Sequence, residues 1–440
     1  MKLFYAIIIL FILSSCSFDD KTGIWKNENL TQSAKDGPLN DFKKISSSKN
    51  IFDTIINLDK KFIFNLSDII TNDHWKDSFY SESNNFDNFK YNNNNQIILK
   101  SKKITKYESN KQLLYYKNNI ILNDRRGNII IYSINKNKVI SKFNFYKKRY
   151  KKLKKSINLI IENNILFVAD NLGYIYAYDL QTNSLLWAKN FKIPFKSNLK
   201  VYGDMVIVAN IKNNVFFLKK SNGETIKSIL TEETRVTNQF VNNFSITKDN
   251  LLFLNSFGSL YSINLNTKKI KWFLNLNQSL DLKTDNLFNG NQIVNYNDKI
   301  VVSSNNFLYL INSQTGNILR NKNFSSDIKP IINNEYFFLI TKNNYLISAR
   351  LHDGEIIYSY NLKDQLSEYF KAKNKLEIHN FFVANNKLLI FINSKYLAFL
   401  NINGQIENIK KLPFKIKSNP IFINGSIIYL DNNNKIKILD

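Results

Sequence analysis

The stretch GYIYAYDLQTNSLLW, Gly173 to Trp187, recurs in outline along most of the chain, and this repetition limits the possible folds more than any other feature. Aligned on the residue that opens each hairpin arm, the copies begin at Gly127, Gly173, Asn214, Gly258, Asn306, Asn344, Lys395 and Asn434. Successive spacings are 46, 41, 44, 48, 38, 51 and 39 residues. A period of about 40–45 residues written in short strands is the mark of a propeller rather than a helical solenoid.

Each unit carries its own turn chemistry. An apolar run such as NNILFVAD, GDMVIVAN or NDKIVVSS precedes the anchor. The anchor itself is usually Gly or Asn, residues that tolerate the positive φ of a tight hairpin. A weaker run further upstream, such as IKPIINN or KSNPIFING, supplies an innermost strand. The expected fold is therefore all-β, an eight-bladed β-propeller of four-stranded antiparallel blades over 56–440. Its last unit stops at Asp440 without an outer strand. An unpaired sheet edge invites aggregation, so an N-terminal strand should close the ring. The sequence offers KKFIFNL (60–66) and HWKDSFY (74–80), with Trp75 as an anchor for that strand.

The amino terminus reads as an address. After Lys2 an apolar run extends from Leu3 to Leu13, short of the roughly 20 residues a membrane-spanning helix needs. It fits a secretory signal peptide over 1–15. Leu13-Ser14-Ser15-Cys16 is similar to the bacterial lipobox, and Cys16 is the only cysteine in the chain. Lipidation of Cys16 would tie the mature protein stably to a membrane, because several acyl chains hold where one does not. Ser17 follows the cysteine, and the first acids are Asp19 and Asp20; by similarity to bacterial sorting this implies the periplasmic face of the outer membrane. Residues 16–55, rich in Ser, Asn, Lys and Asp, read as a flexible tether. A single cysteine excludes an intrachain disulfide.

The formal net charge of +26 comes almost wholly from lysine, spread beside equally heavy use of Asn and Ile. That pattern follows composition more than a binding surface, and secretion argues against nucleic acid as partner. The densest run, YKKRYKKLKK over 146–155, reads either as a solvated loop or as a contact for acidic lipid head groups or an acidic protein face. Catalytic signals are absent. His74, His352 and His379 are far apart with no paired ligand spacing, and no P-loop, G-x-G-x-x-G or G-x-S-x-G occurs. His352-Asp353-Gly354 falls in a repeat turn, which accounts for its Asp and Gly. No catalytic or metal-binding residue and no cofactor is expected.

Ala177, Asp179, Thr182 and Trp187 in one copy, and Thr267 and Trp272 in another, fit the pattern A-x-D-x-x-T-G-x-x-x-W. Thr315-Gly316 and Asp353-Gly354 keep its turn, while Ser141, Arg320 and Tyr358 stand at the tryptophan position. Over 97–440 the chain thus resembles the PQQ-like β-propeller repeat family, in particular its BamB-type outer-membrane-protein assembly lipoproteins. In such an arrangement Trp187 and Trp272 would dock flat between neighbouring blades. The resemblance implies a non-catalytic, lipid-anchored scaffold of the Bam complex that binds BamA and other Bam subunits and assists insertion of outer membrane proteins. Contact with the unfolded client proteins themselves is left open.

In that family two apolar residues and an Arg in one inter-blade loop take part in the BamA contact. The best match is IPFKSN, which places Ile193, Phe195 and Lys196 in those roles, with ordinary packing as the competing explanation of the two apolar residues. Two acids used by the family in the next loop have no match in NQFVNN (238–243). The alternative is a periplasmic PQQ-dependent dehydrogenase-like or ligand-binding propeller. Such enzymes use a Trp floor, calcium ligands from Glu, Asn and Asp, a catalytic Asp and often a disulfide of adjacent cysteines. One cysteine, four tryptophans and 35 acids against 61 bases fit that set poorly.

Overall fold

The computed structural model describes residues 16–18, 25–27, 52–94, 96–233, 238–277, 288–367, 369–370 and 376–440. The chain divides into two units, 1–50 and 51–440. In the first, strand Cys16–Phe18 pairs antiparallel with Trp25–Asn27. The signal peptide expected over 1–15, and most of the expected tether, lie outside the described residues.

The second unit is an eight-bladed propeller. Blade 1 contains strands Leu114–Tyr116, Asn119–Asn123, Ile129–Ser133 and Lys138–Phe143, each antiparallel to the one before it. Blade 2 repeats this with Ile157–Glu162, Ile165–Asp170, Tyr174–Asp179 and Ser184–Asn190. Blades 3 to 7 occupy 200–229, 243–275, 294–322, 331–361 and 378–411, and blade 8 begins at 421. In each, the anchor read from the sequence lies at the turn into the third strand.

The turns show why these residues recur. In blade 2, Asp170 ends the second strand, and its Oδ1 accepts the N–H groups of Leu172 (2.8 Å) and Tyr174 (2.9 Å). Asp124, Asn210, Asn255 and Asp431 do the same in their own blades. The side chain thus satisfies amides that the bend leaves unpaired. Gly173 follows at φ +83°, with Ile193 backbone atoms 2.8–2.9 Å from where a Cβ would sit. In blades 3 and 7 the left-handed residue is one position earlier than the anchor, at Asn213 and Ser394, and the turn at Asn306 uses none.

Neighbouring blades are clipped together by the outer strands. The Trp187 Nε1–H donates to the Lys220 carbonyl of blade 3 (2.8 Å), and its ring covers Gly223, where an added Cβ would lie 2.6 Å from the indole. Trp272 repeats the contact on Ser313 (3.2 Å) and Gly316 of blade 5. Arg320 donates to the Asp353 carbonyl over Gly354, and Tyr358 to the Ile402 carbonyl over Gly404. Two of the three side chains that replace the repeat tryptophan therefore make an equivalent clip.

An N-terminal strand closes the ring, but it is neither segment suggested by the sequence. Ile97–Lys100 pairs antiparallel with Ile436–Leu439 and completes blade 8. Its alternation of half-buried and exposed residues suits an outer strand with one wet face. Segment 60–66 is instead a strap whose Phe62 and Phe64 pack on Tyr336, with centroids 5.9 and 4.9 Å apart. Phe52, within the stretch assigned to the tether, packs against Phe324 and Tyr345.

Segment 74–80 lies on the propeller axis, and residues 70–91 visit the inner region of every blade in turn. Asn72 donates to the Phe422 carbonyl of blade 8, and Trp75 exchanges backbone hydrogen bonds with Tyr115 of blade 1. Lys76 and Asp77 meet Ile161 and Ile160 of blade 2. Asp77 pairs with Lys200 of blade 3 at 2.6 Å. Asn84 Nδ2 bridges the carbonyls of Phe244 and Ile293, at blades 4 and 5, both at 2.8 Å. Asn85 exchanges hydrogen bonds with Ile332 of blade 6, and Asn88–Phe89 runs parallel to Val383 and Ala384 of blade 7. Trp75 is therefore an axial residue, 3% exposed, and not an anchor for the closing strand.

Candidate functional site

The connectors between blades and the turns into the third strands share one face of the propeller. The axial segment closes the channel beneath this face, leaving a blind funnel of about 650 Å³. Trp75, Phe79 and Phe86 contribute its floor, and its walls are rich in Asn and Gln from the connectors, among them Asn110, Gln239, Asn291 and Asn380. Such a wall offers hydrogen-bond donors and acceptors without a strong charge.

Among the described residues few ionisable groups line the funnel: Lys111, Lys329, His379 and the single acid Asp327. Asp327 is largely exposed, 3.4 Å from Lys342. Lys329 is buried, donating to the carbonyls of Asn84 (2.6 Å) and Phe79 (3.2 Å) with its ammonium 3.2 Å from the Phe86 ring centroid. Burial, reinforced by the Lys200 charge, holds its pKa well below the usual lysine range. With two carbonyls and a ring face around it, the amine is spent on positioning the axial segment. Burial and nearby Lys111 lower the His379 pKa, Glu377 opposing them, and its Nε2 is 2.9 Å from the Ser394 hydroxyl. His74 is exposed beside Asp73, and His352 beside Asp353.

Among the described residues no group of three or more His, Cys, Asp or Glu could hold a metal ion. Trp187 and Trp272 are committed to the blade clips, and Trp75 lies in a cluster of tilted rings with Tyr80, Phe86 and Phe89. These residues do not fit a calcium-held quinone. The arrangement can bind through hydrogen bonds and apolar contact.

IPFKSN lies on the same face, leading from blade 2 into blade 3. Ile193 is half-buried, and Phe195 is 2% exposed, packed edge-on against Phe191 and Phe216 at 5.4 and 6.3 Å. The Phe195 N–H donates to the Asp170 carbonyl at 3.0 Å. Lys196 is half-buried, and its ammonium donates to the Asn238 carbonyl in the next connector. Desolvation lowers its pKa. Only Ile193 and Lys196 thus offer side-chain surface, while Phe195 supports them from inside.

The connector after blade 3 does carry acids, upstream of the stretch singled out in the sequence. Glu232 accepts from Asn255 and Ser259, and Glu233 is exposed 3.3 Å from Lys212. The basic run 146–155 is folded onto this face too. Tyr146 donates to Asp170 at 2.6 Å, and the Lys155 ammonium lies 4.7 Å from the Tyr146 ring centroid, so both ends are buried while Lys147, Lys148, Lys151, Lys152 and Lys154 stay exposed.

A curated relative, the outer membrane protein assembly factor BamB of Legionella pneumophila (strain Paris), is 24% identical over 207 residues, 44% of this chain. The match spans about half the length of that relative. Among solved structures, BamB from Moraxella catarrhalis superposes with a TM-score of 0.61 at 13% identity, covering 78% of this chain and 100% of the other. A europium-containing methanol dehydrogenase gives 0.59 at 10% identity, covering 83% and 89%, and the designed protein Ika8 gives 0.56 at 10%, covering 77% and 99%. At such identities these likenesses concern the fold. The family described as outer membrane protein assembly factor BamB matches residues 114–360, which are blades 1 to 6 and more than half of the sequence, and the chain belongs to this BamB-type family of PQQ-like β-propellers.

Proposed function

We propose that this protein is a non-catalytic scaffold of outer-membrane β-barrel assembly, anchored through lipid on Cys16 at the periplasmic face of the outer membrane. Its partner is BamA, held by the connector face through Ile193 and Lys196, with Phe195 fixing their loop. The observation that carries this reading is the family match over blades 1 to 6, which includes the whole IPFKSN loop. Two features support it. The connector face combines exposed loops with a funnel whose described lining is mainly polar and carries few charges, a surface suited to a partner's backbone and loops. Lys196 also links its own connector to the next at Asn238, so two neighbouring loops present one surface.

The test is co-purification of BamA with the full chain. Ile193→Glu with Lys196→Glu should reduce recovery about tenfold or more, equivalent to at least about 1.4 kcal/mol of binding. Unchanged recovery with a folded variant rejects the assignment. Phe195→Glu is a poor probe, since a charge at a 2% exposed position attacks the fold first.

A further inference from the structure

The clips between blades occupy one register position. Trp187 stands opposite Ala177, Trp272 opposite Ser262, Arg320 opposite Leu310 and Tyr358 opposite Ser348. In blade 1 the residue opposite Ile131 is Ser141, which has no ring to offer. Where the Trp187 indole packs beside Phe167 and Ala177, blade 1 presents Ile121 and Ile131. Between these and blade 2 lies a pocket of about 250 Å³, bounded by Ile121, Ile131 and Ile140 on one side and Leu180, Gln181 and Asn183 on the other.

The receiving turn is built as in the filled interfaces. The Leu180 N–H donates to the Asn164 carbonyl (2.9 Å), just as Lys220 donates to Asp204 (2.8 Å) and Ser313 to Asp298 (2.7 Å). The carbonyls of Lys220 and Ser313 are the two that accept indole N–H groups, so the Leu180 carbonyl stands at the acceptor's place. Asn183 is left-handed like Gly223, with φ of +55° and +70°. Its Cβ displaces a ring outward, toward Ile140, which is 46% exposed. Tyr178 stacks on Phe143, with centroids 3.9 Å apart, and its hydroxyl meets the Ser141 side chain, but its ring is not part of the pocket lining. Tyr116 and Lys117 both donate to Asn164 Oδ1 at the rim.

We propose that this slot between blades 1 and 2 receives the tryptophan side chain of another polypeptide. The chain meets the same interface geometry with its own indole twice, which defines the ring and the N–H acceptor. The slot is smaller than the roughly 300–1,000 Å³ of sites for drug-sized ligands, so it takes one ring. A polypeptide is the source because the outer strand of blade 1 exposes Val139 and Ile140 along an unpaired edge beside the slot, a surface for the residues flanking the tryptophan. The site is independent of BamA binding at the connector face.

The experiment is a methyl NMR titration of the full chain with N-acetyl-tryptophanamide, with N-acetyl-leucinamide as control. Saturable shifts confined to Ile121, Ile131, Ile140 and Leu180 are expected for the tryptophan compound alone. An extended Ala-Ala-Trp-Ala-Ala peptide should bind more tightly than the amide. Ser141→Trp should supply the ring internally, moving the same methyl signals without ligand and abolishing the titration. Ile140→Lys, at an exposed position, should weaken binding about fivefold or more and carries the test if Ser141→Trp fails to fold. No shifts, equal shifts with both amides, a peptide no tighter than the amide, or an unchanged titration in a folded variant would each overturn the proposal.

Discussion

Replacing Asp77 by Asn isolates the ion pair at the propeller axis. Lys200 is 1% exposed, and its ammonium has three acceptors: Asp77 Oδ2 at 2.6 Å, the Ser81 carbonyl at 2.5 Å and Asn84 Oδ1 at 2.8 Å. Only the first carries a negative charge. The substitution preserves size and the backbone bridge to Ile160 but leaves a buried ammonium among neutral dipoles. Breaking a buried pair by removing one partner costs about 3–5 kcal/mol. The two remaining acceptors favour the lower end, about 3 kcal/mol. Lys200 can relieve the strain by losing its proton, since burial already lowers its pKa and Asp77 opposes that shift. Without Asp77 the folded pKa falls further below the unfolded value. Between those two values the unfolded chain binds more protons, so stability rises with pH. The deficit of Asp77→Asn should therefore be largest near neutral pH, where the wild-type carboxylate is ionised, and should narrow as pH climbs toward the ordinary lysine pKa of 10.5. Urea unfolding followed by tryptophan fluorescence, repeated across that range, measures it. A loss below about 0.5 kcal/mol at every pH would refute the pairing argument. Adding Lys200→Met to Asp77→Asn should recover part of the loss, because the buried charge is then gone.

Three further outcomes follow from the same physics. Trp187→Ala should cost about 3–5 kcal/mol in urea unfolding, as it removes a buried indole and orphans the Lys220 carbonyl. Arg320→Ala, at an exposed clip, should cost less than about 1 kcal/mol. Lys329→Met should stabilise the chain near neutral pH and flatten its pH dependence: the folded pKa of Lys329 lies well below 10.5, so wild-type stability rises with pH through that window. The buried Tyr91 hydroxyl acts in the opposite sense. Burial, aided by Asp440, pushes it up to about 12, so its contribution is complete below pH 10 and is lost as pH rises from 10 to 12; Tyr91→Phe should shrink the alkaline loss of Tm.

Blade architecture was legible because it is encoded locally. An Asp or Asn that caps its own turn, a left-handed Gly or Asn and a period-2 apolar run all lie within a dozen residues, and they recur. Even the replacements at the tryptophan position could be placed by register, though only the fold shows that Tyr358 reaches the carbonyl an indole would, at Ile402, while Arg320 reaches one further along the turn, at Asp353. The axial segment was not legible. Asn72, Asn84, Asn85 and Asn88 bind backbone groups from blades far apart in sequence, and an Asn-rich stretch in an Asn-rich chain carries no periodicity to betray it. The closing strand escaped for a related reason. IILK is four residues long beside an asparagine run, whereas KKFIFNL and HWKDSFY are richer in aromatics, which here serve packing instead of edge pairing. At the connector face, IPFKSN could be located as a lapse in the repeat, but the burial of Phe195 depends on Phe191 and Phe216 and so on the fold.

The central claim is that the connector face binds BamA while the opposite face does not. A photo-crosslinking residue placed at Ile193 or Lys196 of the full chain in intact membranes tests it directly, with Asn334 on the opposite turns as control. The account predicts BamA adducts from positions 193 and 196 and none from 334. Adducts from 334 alone, or none from any position in a chain that is folded and membrane-bound, would contradict it.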